Sequence, residues 1–512
     1  MTNIGASELS LAGVYDILFN SKKLRITDHT VAEMQASFDF LKKTSEEKVV
    51  YGINTGLGPM AQFKIEPSEQ LQLQYNLIRS HASGSGDPLS ELHVKAAMVC
   101  RLNTLSQAHS GVHPDVSNVL ISMVNNDVTP LIPAHGGVGA SGDLVQLAHL
   151  ALVVIGEGEV FYKNKRRPTK EVFEELNIEP LKVRLREGLG MINGTSVMSG
   201  IGLVNIIDSY RLLNWSVLTA SMINEIVASF SDHFSEELNE VKHHKGQHQV
   251  AAAMRKAMND SKLIRNRCDF PFDGTLKGNE YQQKIQEYYS LRCIPQILGP
   301  IHDTIINAEE VLVSEVNSVS DNPVIDHKRK KVFHGGNFHG DYVSLEMDKL
   351  RLAIIKLSML SERQTNYLMN DKLNGILPPF VNLGKKGFNL GMQGVQFTAT
   401  STVAENQSLS TSLYVHSIPN NNDNQDIVSM GANAALATDK VIDNTFEVMA
   451  IELLTLIQAI EYLKVQDKLS SISREVYDDI RAIVPAFTED TSKYKELSDI
   501  KEYLKTKNLK LI

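Results

Sequence analysis

Three cysteines in 512 residues, Cys100, Cys268 and Cys293, are too few and too scattered for a disulfide framework or a zinc site, which points to a reducing compartment. Positive charge is not in excess either. Sixty acidic against 51 basic residues give a formal net charge of −9, which offers nothing to nucleic acid or to an anionic membrane. Long hydrophobic runs are missing: the longest, near 150–155, is too short to span a bilayer, and the N-terminus MTNIGASELSLAGVYDILFN lacks the basic start and apolar core of a secretory signal. The chain is therefore read as cytoplasmic. What is present, 42% hydrophobic and 22% charged residues, is the balance of a globular protein large enough for more than one domain.

Strand signals are scarce. GEVFY faces RRPTK across a turn at 163–165, and NPVID faces KVFHGG across 328–331, so the basic runs 163–167 and 328–331 are solvated hairpin turns. Helical period dominates the second half. Val343, Met347, Leu350, Ile354 and Leu357 step by four and three, as do Ile442, Phe446, Met449, Leu453, Leu456, Ile460 and Leu463; each set forms a seam for bundle packing. Segment 200–230 is apolar nearly all round and suits a buried helix. The chain is read as mainly α, with a glycine-interrupted domain over 1–198 and a helical remainder over 199–512. His243, His244 and His248 cluster, but no cysteine or carboxylate set has matching spacing, and they are read as a solvated loop without metal.

The stretch AHGGVGASGDLVQLAH (134–149) contains GxGxxG at Gly137, Gly139 and Gly142. A dinucleotide turn would need a buried apolar strand before it, whereas NNDVTPLIPAHG brings Pro130 and Pro133, and the helical remainder lacks alternating strands. A flexible entry to a helix accounts for Gly139 and Asp143 but leaves Ala140, Ser141 and Gly142 without a role. Chemistry gives each a task. In a tight bend the Gly142 amide nitrogen reaches the Ala140 carbonyl carbon, because neither residue carries an obstructing side chain. Loss of water closes a five-membered ring. Loss of a second water from Ser141 leaves an exocyclic methylidene, an electrophile made without external cofactor.

Here the sequence resembles the aromatic amino acid ammonia-lyases: the histidine, phenylalanine and tyrosine enzymes with the related aminomutases. GGVGASGDL is similar to the motif from which that family forms 4-methylidene-imidazol-5-one (MIO). YGINTGLG (51–58), NLIRSHASG (76–84), EGLGMINGT (187–195), QEYYSLRC (286–293), SDNPVI (320–325), GGNFHG (335–340) and NNDNQDIVSMG (421–431) resemble family blocks in family order. Val145-Gln146 replaces the frequent Ala-Pro, Leu57 stands where Phe is commoner and Gly190 where Ala is; the last two imply altered pocket detail. The resemblance implies an aspartase/fumarase-like long-helix bundle with a glycine-rich N-terminal domain carrying MIO. It also implies a homotetramer whose active sites are shared between subunits.

By the same resemblance, Ala140, Ser141 and Gly142 form the MIO and Tyr51 is the general base. A free phenol has a pKa of about 10, so such a base needs a cationic or strongly hydrogen-bonding setting. Tyr289 assists from a mobile loop, beside a structural Tyr288. Arg292 takes the substrate carboxylate, which a planar guanidinium grips by both oxygens. Asn193 and Gln286 hydrogen-bond the substrate or ring, and Phe338 forms an aromatic wall.

Two positions bear on the substrate side chain. Ser80-His81 resembles the pair of histidine enzymes and of some bacterial tyrosine enzymes, where phenylalanine enzymes carry Phe-Leu. Gln425 stands where histidine enzymes carry Glu. A carboxylate buried against an uncharged phenol is costly and a neutral amide is tolerated, so His81 with Gln425 suits L-tyrosine, giving trans-p-coumarate. L-Histidine to urocanate, and then L-phenylalanine, are the alternatives. A dinucleotide oxidoreductase or a non-catalytic helical scaffold would instead show an unmodified intact mass.

Overall fold

The computed structural model of the protein describes residues 1–5, 7–269, 276–281 and 284–512. The chain forms two compact units that interleave in sequence: Met1–Ile207 with Ala308–Asp348 and Ser412–Thr438, and Asp208–Asn307 with Lys349–Thr411 and Asp439–Ile512. Two consecutive domains, 1–198 and 199–512, are the expectation from the glycine pattern. The first change of unit instead falls inside the Ser196–Ile226 helix.

In the first unit the Glu91–Ser106 helix is the hub, buried along nearly its whole length and capped by Ser90, whose side chain accepts from His93 N–H. The start of the Ser196–Ile226 helix packs directly on it. A Cβ on Gly200 would lie 2.5 Å from the Ala97 nitrogen, so only glycine allows so close a crossing. Farther along, Asn205 Nδ2 donates to Ala435 O at 2.8 Å and Thr438 Oγ1 to Met347 O at 2.8 Å, polar pins in an apolar seam.

The strands are short. Glu159–Tyr162 pairs antiparallel with Lys165–Pro168 around Lys163 and Asn164, both at positive φ as a two-residue hairpin turn requires. The second strand lies one residue earlier than RRPTK, because Thr169 opens the Thr169–Leu176 helix. Val324–Asp326 pairs with Lys331–Phe333 as the alternation indicates. Pro130 and Pro133 sit on two-to-three-residue strands of separate small antiparallel sheets, not on a central parallel strand.

The second unit is helical, with one short strand pair, Leu276–Lys277 with Glu280–Tyr281, among its described residues. The Asp341–Met369 and Gly431–Leu463 helices bury their seams: Val343, Met347, Leu350, Ile354 and Leu357 on one, Ile442 through Ile460 on the other, while Leu463 at the end is half-buried. Each such Leu or Ile contributes roughly 1.5–3 kcal/mol of burial. His243 and His244 are exposed in the turn before the Lys245–Ala257 helix, and His248 Nε2 lies 2.7 Å from Lys242 O. Among the described residues no helix is long and apolar enough to cross a membrane.

Candidate active site

Within the first unit the glycine stretch folds back on itself. Gly139 and Gly142 pair across Ala140 and Ser141, with Ser141 at φ 61° and Gly142 at φ 77°. The bend is clamped from both sides: Gly194 N–H donates to Ser141 O at 3.2 Å, Asp143 N–H to Gly194 O at 2.8 Å and Met430 N–H to Val138 O at 3.2 Å. A Cβ at residue 142 would fall 2.0 Å from Gly194 O, so both the backbone angle and the crowding demand glycine there.

Asp143 ties this bend to the bundle. Its Oδ2 accepts from Val197 N–H at 2.8 Å and Met198 N–H at 2.9 Å, capping the first turn of the Ser196–Ile226 helix from outside that helix. Burial pushes its acid up to about 7, with Glu315 adding to the rise and the two N–H donors and Arg101 opposing it. Arg101, fully buried and pulled down to about 10 by desolvation, donates to Gly190 O.

Beside the bend lies a cavity of about 680 Å³, with Tyr51, His81, Ser141, Asn193 and Gln425 among its lining residues. The Tyr51 hydroxyl oxygen accepts from Gly58 N–H at 2.9 Å. Its loop is held by fully buried Gln74, whose Nε2 donates to Gly52 O at 2.9 Å while its Oε1 accepts from Leu189 N–H at 3.1 Å. His81 Nδ1 lies 3.0 Å from Leu77 O, an acceptor only, so in the neutral ring Nδ1 carries the proton and Nε2 keeps the lone pair. Gln425 Nε2 lies 3.5 Å from Ser141 Oγ. Asn193 Oδ1 is buried without a hydrogen-bond partner among the described residues. No Asp, Glu, Lys or Arg lines the cavity among those residues.

The fold thus brings together Tyr51, His81, Ser141, Asn193 and Gln425, with Ala140 and Gly142 flanking Ser141. Phe338 does not line this cavity; it is half-buried in the turn before the Asp341–Met369 helix. Gln286, Tyr289 and Arg292 belong to the second unit. There Gln286 is exposed, Tyr289 is 70% exposed, and the Arg292 guanidinium sits 5.0 Å from the Tyr289 ring centre. Gly190 is not in the cavity wall, contrary to its reading as pocket detail. A Cβ there would meet Val112 Cγ1 at 2.5 Å, so its smallness serves packing of the Glu187–Ile192 helix; Leu57 does line the cavity. Sequence reasoning missed Gln74, Gly58 N–H, Asn421 and Asn422. Gly58 ends the YGINTGLG block and Gln74 lies two residues before NLIRSHASG, but each of these bonds has a backbone group at one end and leaves no spacing signature.

The aromatic amino acid lyase family profile matches residues 9–482. The chain belongs to this family. It is 36% identical over 507 residues to a histidine ammonia-lyase of Bacillus cytotoxicus, covering 99% of this chain and 97% of the relative. With a tyrosine 2,3-aminomutase of Myxococcus sp. the identity is 37% over 451 residues, 87% of this chain and 86% of the relative. The crystal structure of a tyrosine aminomutase from Streptomyces globisporus superposes with a TM-score of 0.94 at 32% identity, covering 98% of this chain and 96% of that one. The fold of the lyase is therefore that of the aromatic amino acid lyases and aminomutases, mainly helical as its sequence pattern indicates.

Proposed function

We propose that this lyase eliminates ammonia from L-tyrosine to give trans-p-coumarate. The observation that carries the proposal is the cavity lining: Tyr51 and Ser141 beside His81 and a neutral Gln425, with no carboxylate among the described residues. The bend at Ala140–Gly142 fits an MIO group, since residue 142 has no room for a side chain, Ser141 is already at positive φ, and the Asn193 amide oxygen, lining the same cavity, is buried without a partner among the described residues. Once formed, MIO supplies an electrophile for the substrate amino group in place of an external cofactor.

The chain's own residues do the rest. Tyr51, its oxygen held by Gly58 N–H, removes the β-proton. His81 Nε2 accepts the phenol O–H, and Gln425 lies against the ring without a charge to desolvate. Among the described residues no Lys or Arg lines the cavity to meet the substrate carboxylate. In our proposal Arg292 supplies the cation, with Tyr289, Gln286 and Phe338, from neighbouring copies in a homotetramer with shared sites, acting in the cytoplasm. Asn193 hydrogen-bonds the substrate or the MIO ring.

L-Histidine is the second candidate substrate, favoured by the relatives named histidine ammonia-lyase and by the equal fit of His81 to an imidazole N–H. Steady-state kinetics on tyrosine, phenylalanine and histidine decide between them. Tyrosine is expected to exceed phenylalanine in kcat/KM by roughly 10- to 200-fold, the value of about 1–3 kcal/mol for a satisfied polar contact. Histidine as the best substrate overturns the assignment, and β-tyrosine among the products would reveal aminomutase activity.

A further inference from the structure

The turn that carries Tyr289 and Arg292 is held in an unusual way. The Tyr289–Arg292 helix is four residues long, too short to be stable by itself, and is broken from the Ile294–Val316 helix at Cys293. Two side-chain amides bond its carbonyls. Gln364 Nε2 donates to Ser290 O at 2.8 Å, and Asn224 Nδ2 to Leu291 O at 3.2 Å. Both amides are fully buried and sit on long helices, Asp341–Met369 and Ser196–Ile226. Asn224 is itself locked: its Nδ2 also donates to Ala220 O at 2.8 Å, and its Oδ1 accepts from Ser229 Oγ at 2.6 Å.

The other side of the turn is gripped through Tyr288. Its ring meets Tyr367 edge-on with centres 5.7 Å apart, and the Lys284 ammonium lies 4.4 Å from the Tyr288 ring centre and 5.1 Å from that of Tyr367. Lys284 in turn pairs with buried Glu287 at 2.8 Å. Residues 287, 288, 290 and 291 are thus all engaged with the second unit. Tyr289, 70% exposed, and half-buried Arg292 lie three apart on one face and stack on each other.

We infer that Gln364 and Asn224, with Tyr288 seated against Tyr367, are positioning residues: they form a mount that fixes the direction in which Arg292 and Tyr289 are offered to the substrate carboxylate. The inference rests on the assignment of Arg292 above. It predicts a selective binding defect, because a guanidinium swung aside by an ångström loses the carboxylate while Tyr51, His81 and Gln425 keep their places.

The test compares inhibition by p-coumarate, which has a carboxylate, with inhibition by tyramine, which has none. In Gln364→Met, similar in length but without the donor, p-coumarate inhibition and kcat/KM are each expected to weaken about tenfold while tyramine inhibition is unchanged. In Tyr288→Leu, at a partly exposed position, the same pattern is expected at about threefold. Equal losses for both inhibitors, or none for either, overturn the mount; if Gln364→Met does not fold, Tyr288→Leu decides alone. Arg292→Ala separates the two claims. A selective p-coumarate defect in Arg292→Ala without one in the other variants removes the mount and leaves the site assignment, whereas no such defect in Arg292→Ala removes both.

Discussion

The backbone beside Tyr51 and the backbone beside Tyr289 are each held by a fully buried glutamine amide, yet the two tyrosines meet opposite surroundings. Gln74 donates to Gly52 O and also accepts from Leu189 N–H, and the tyrosine next to it lines a cavity with its oxygen already hydrogen-bonded. Gln364 donates to Ser290 O, and the tyrosine next to that carbonyl is 70% exposed. One device serves two ends. Tyr51 meets its partner within its own unit, while Tyr289 stands on a held turn with its ring exposed, which is what the proposed sharing of sites between copies requires.

The contrast can be broken at either tyrosine. Removing the proposed base in Tyr51→Phe should lower kcat by about 10²–10⁴-fold and leave p-coumarate inhibition nearly unchanged, a split that steady-state kinetics and inhibition assays resolve. Loosening its loop in Gln74→Met should lower kcat by about tenfold without altering the ratio of p-coumarate to tyramine inhibition, the opposite of the selective defect expected for Gln364→Met. Gln425→Glu sharpens the substrate side of the comparison. It should move the ratio of kcat/KM toward histidine over tyrosine by about tenfold, because a carboxylate is tolerated against an imidazole and penalised against a phenol.

The smallest expected effect concerns the helix that carries Gln364. One turn earlier Ser361 donates to Glu452, a fully buried carboxyl pushed up to about 8 by desolvation, with Ser361 and Thr219 pulling the other way. The folded state therefore holds a proton that the unfolded chain releases near its ordinary 4.5. Stability from this group is complete below that pH and is lost as pH rises through about 8. In thermal melts across that window, Glu452→Gln should flatten the decline by a few degrees at the alkaline end.

The long helices were legible because a seam stepping by three and four leaves its period in the chain, and the hairpins because Lys163-Asn164 and the 328–331 run mark their turns. The tight bend was legible for a different reason: Ala140, Ser141 and Gly142 are contiguous, so their fit to the proposed chemistry can be reasoned from neighbours alone. What escaped was every residue that acts through a distant backbone atom. Gln74 and Gln364 look like ordinary helix-surface amides in the sequence and Asn224 like one more amide in a buried helix, and only tertiary packing shows the carbonyls they bond. Gly190 misled for the same reason, since Val112, the side chain that excludes a Cβ there, is remote in sequence.

The most direct test of the account is the mass of the proteolytic peptide spanning residues 140–142 from active protein. A peptide two waters lighter than its sequence, a two-water deficit that Ser141→Ala abolishes together with turnover, is the predicted result. An active enzyme whose peptide carries its full mass would contradict the proposed chemistry.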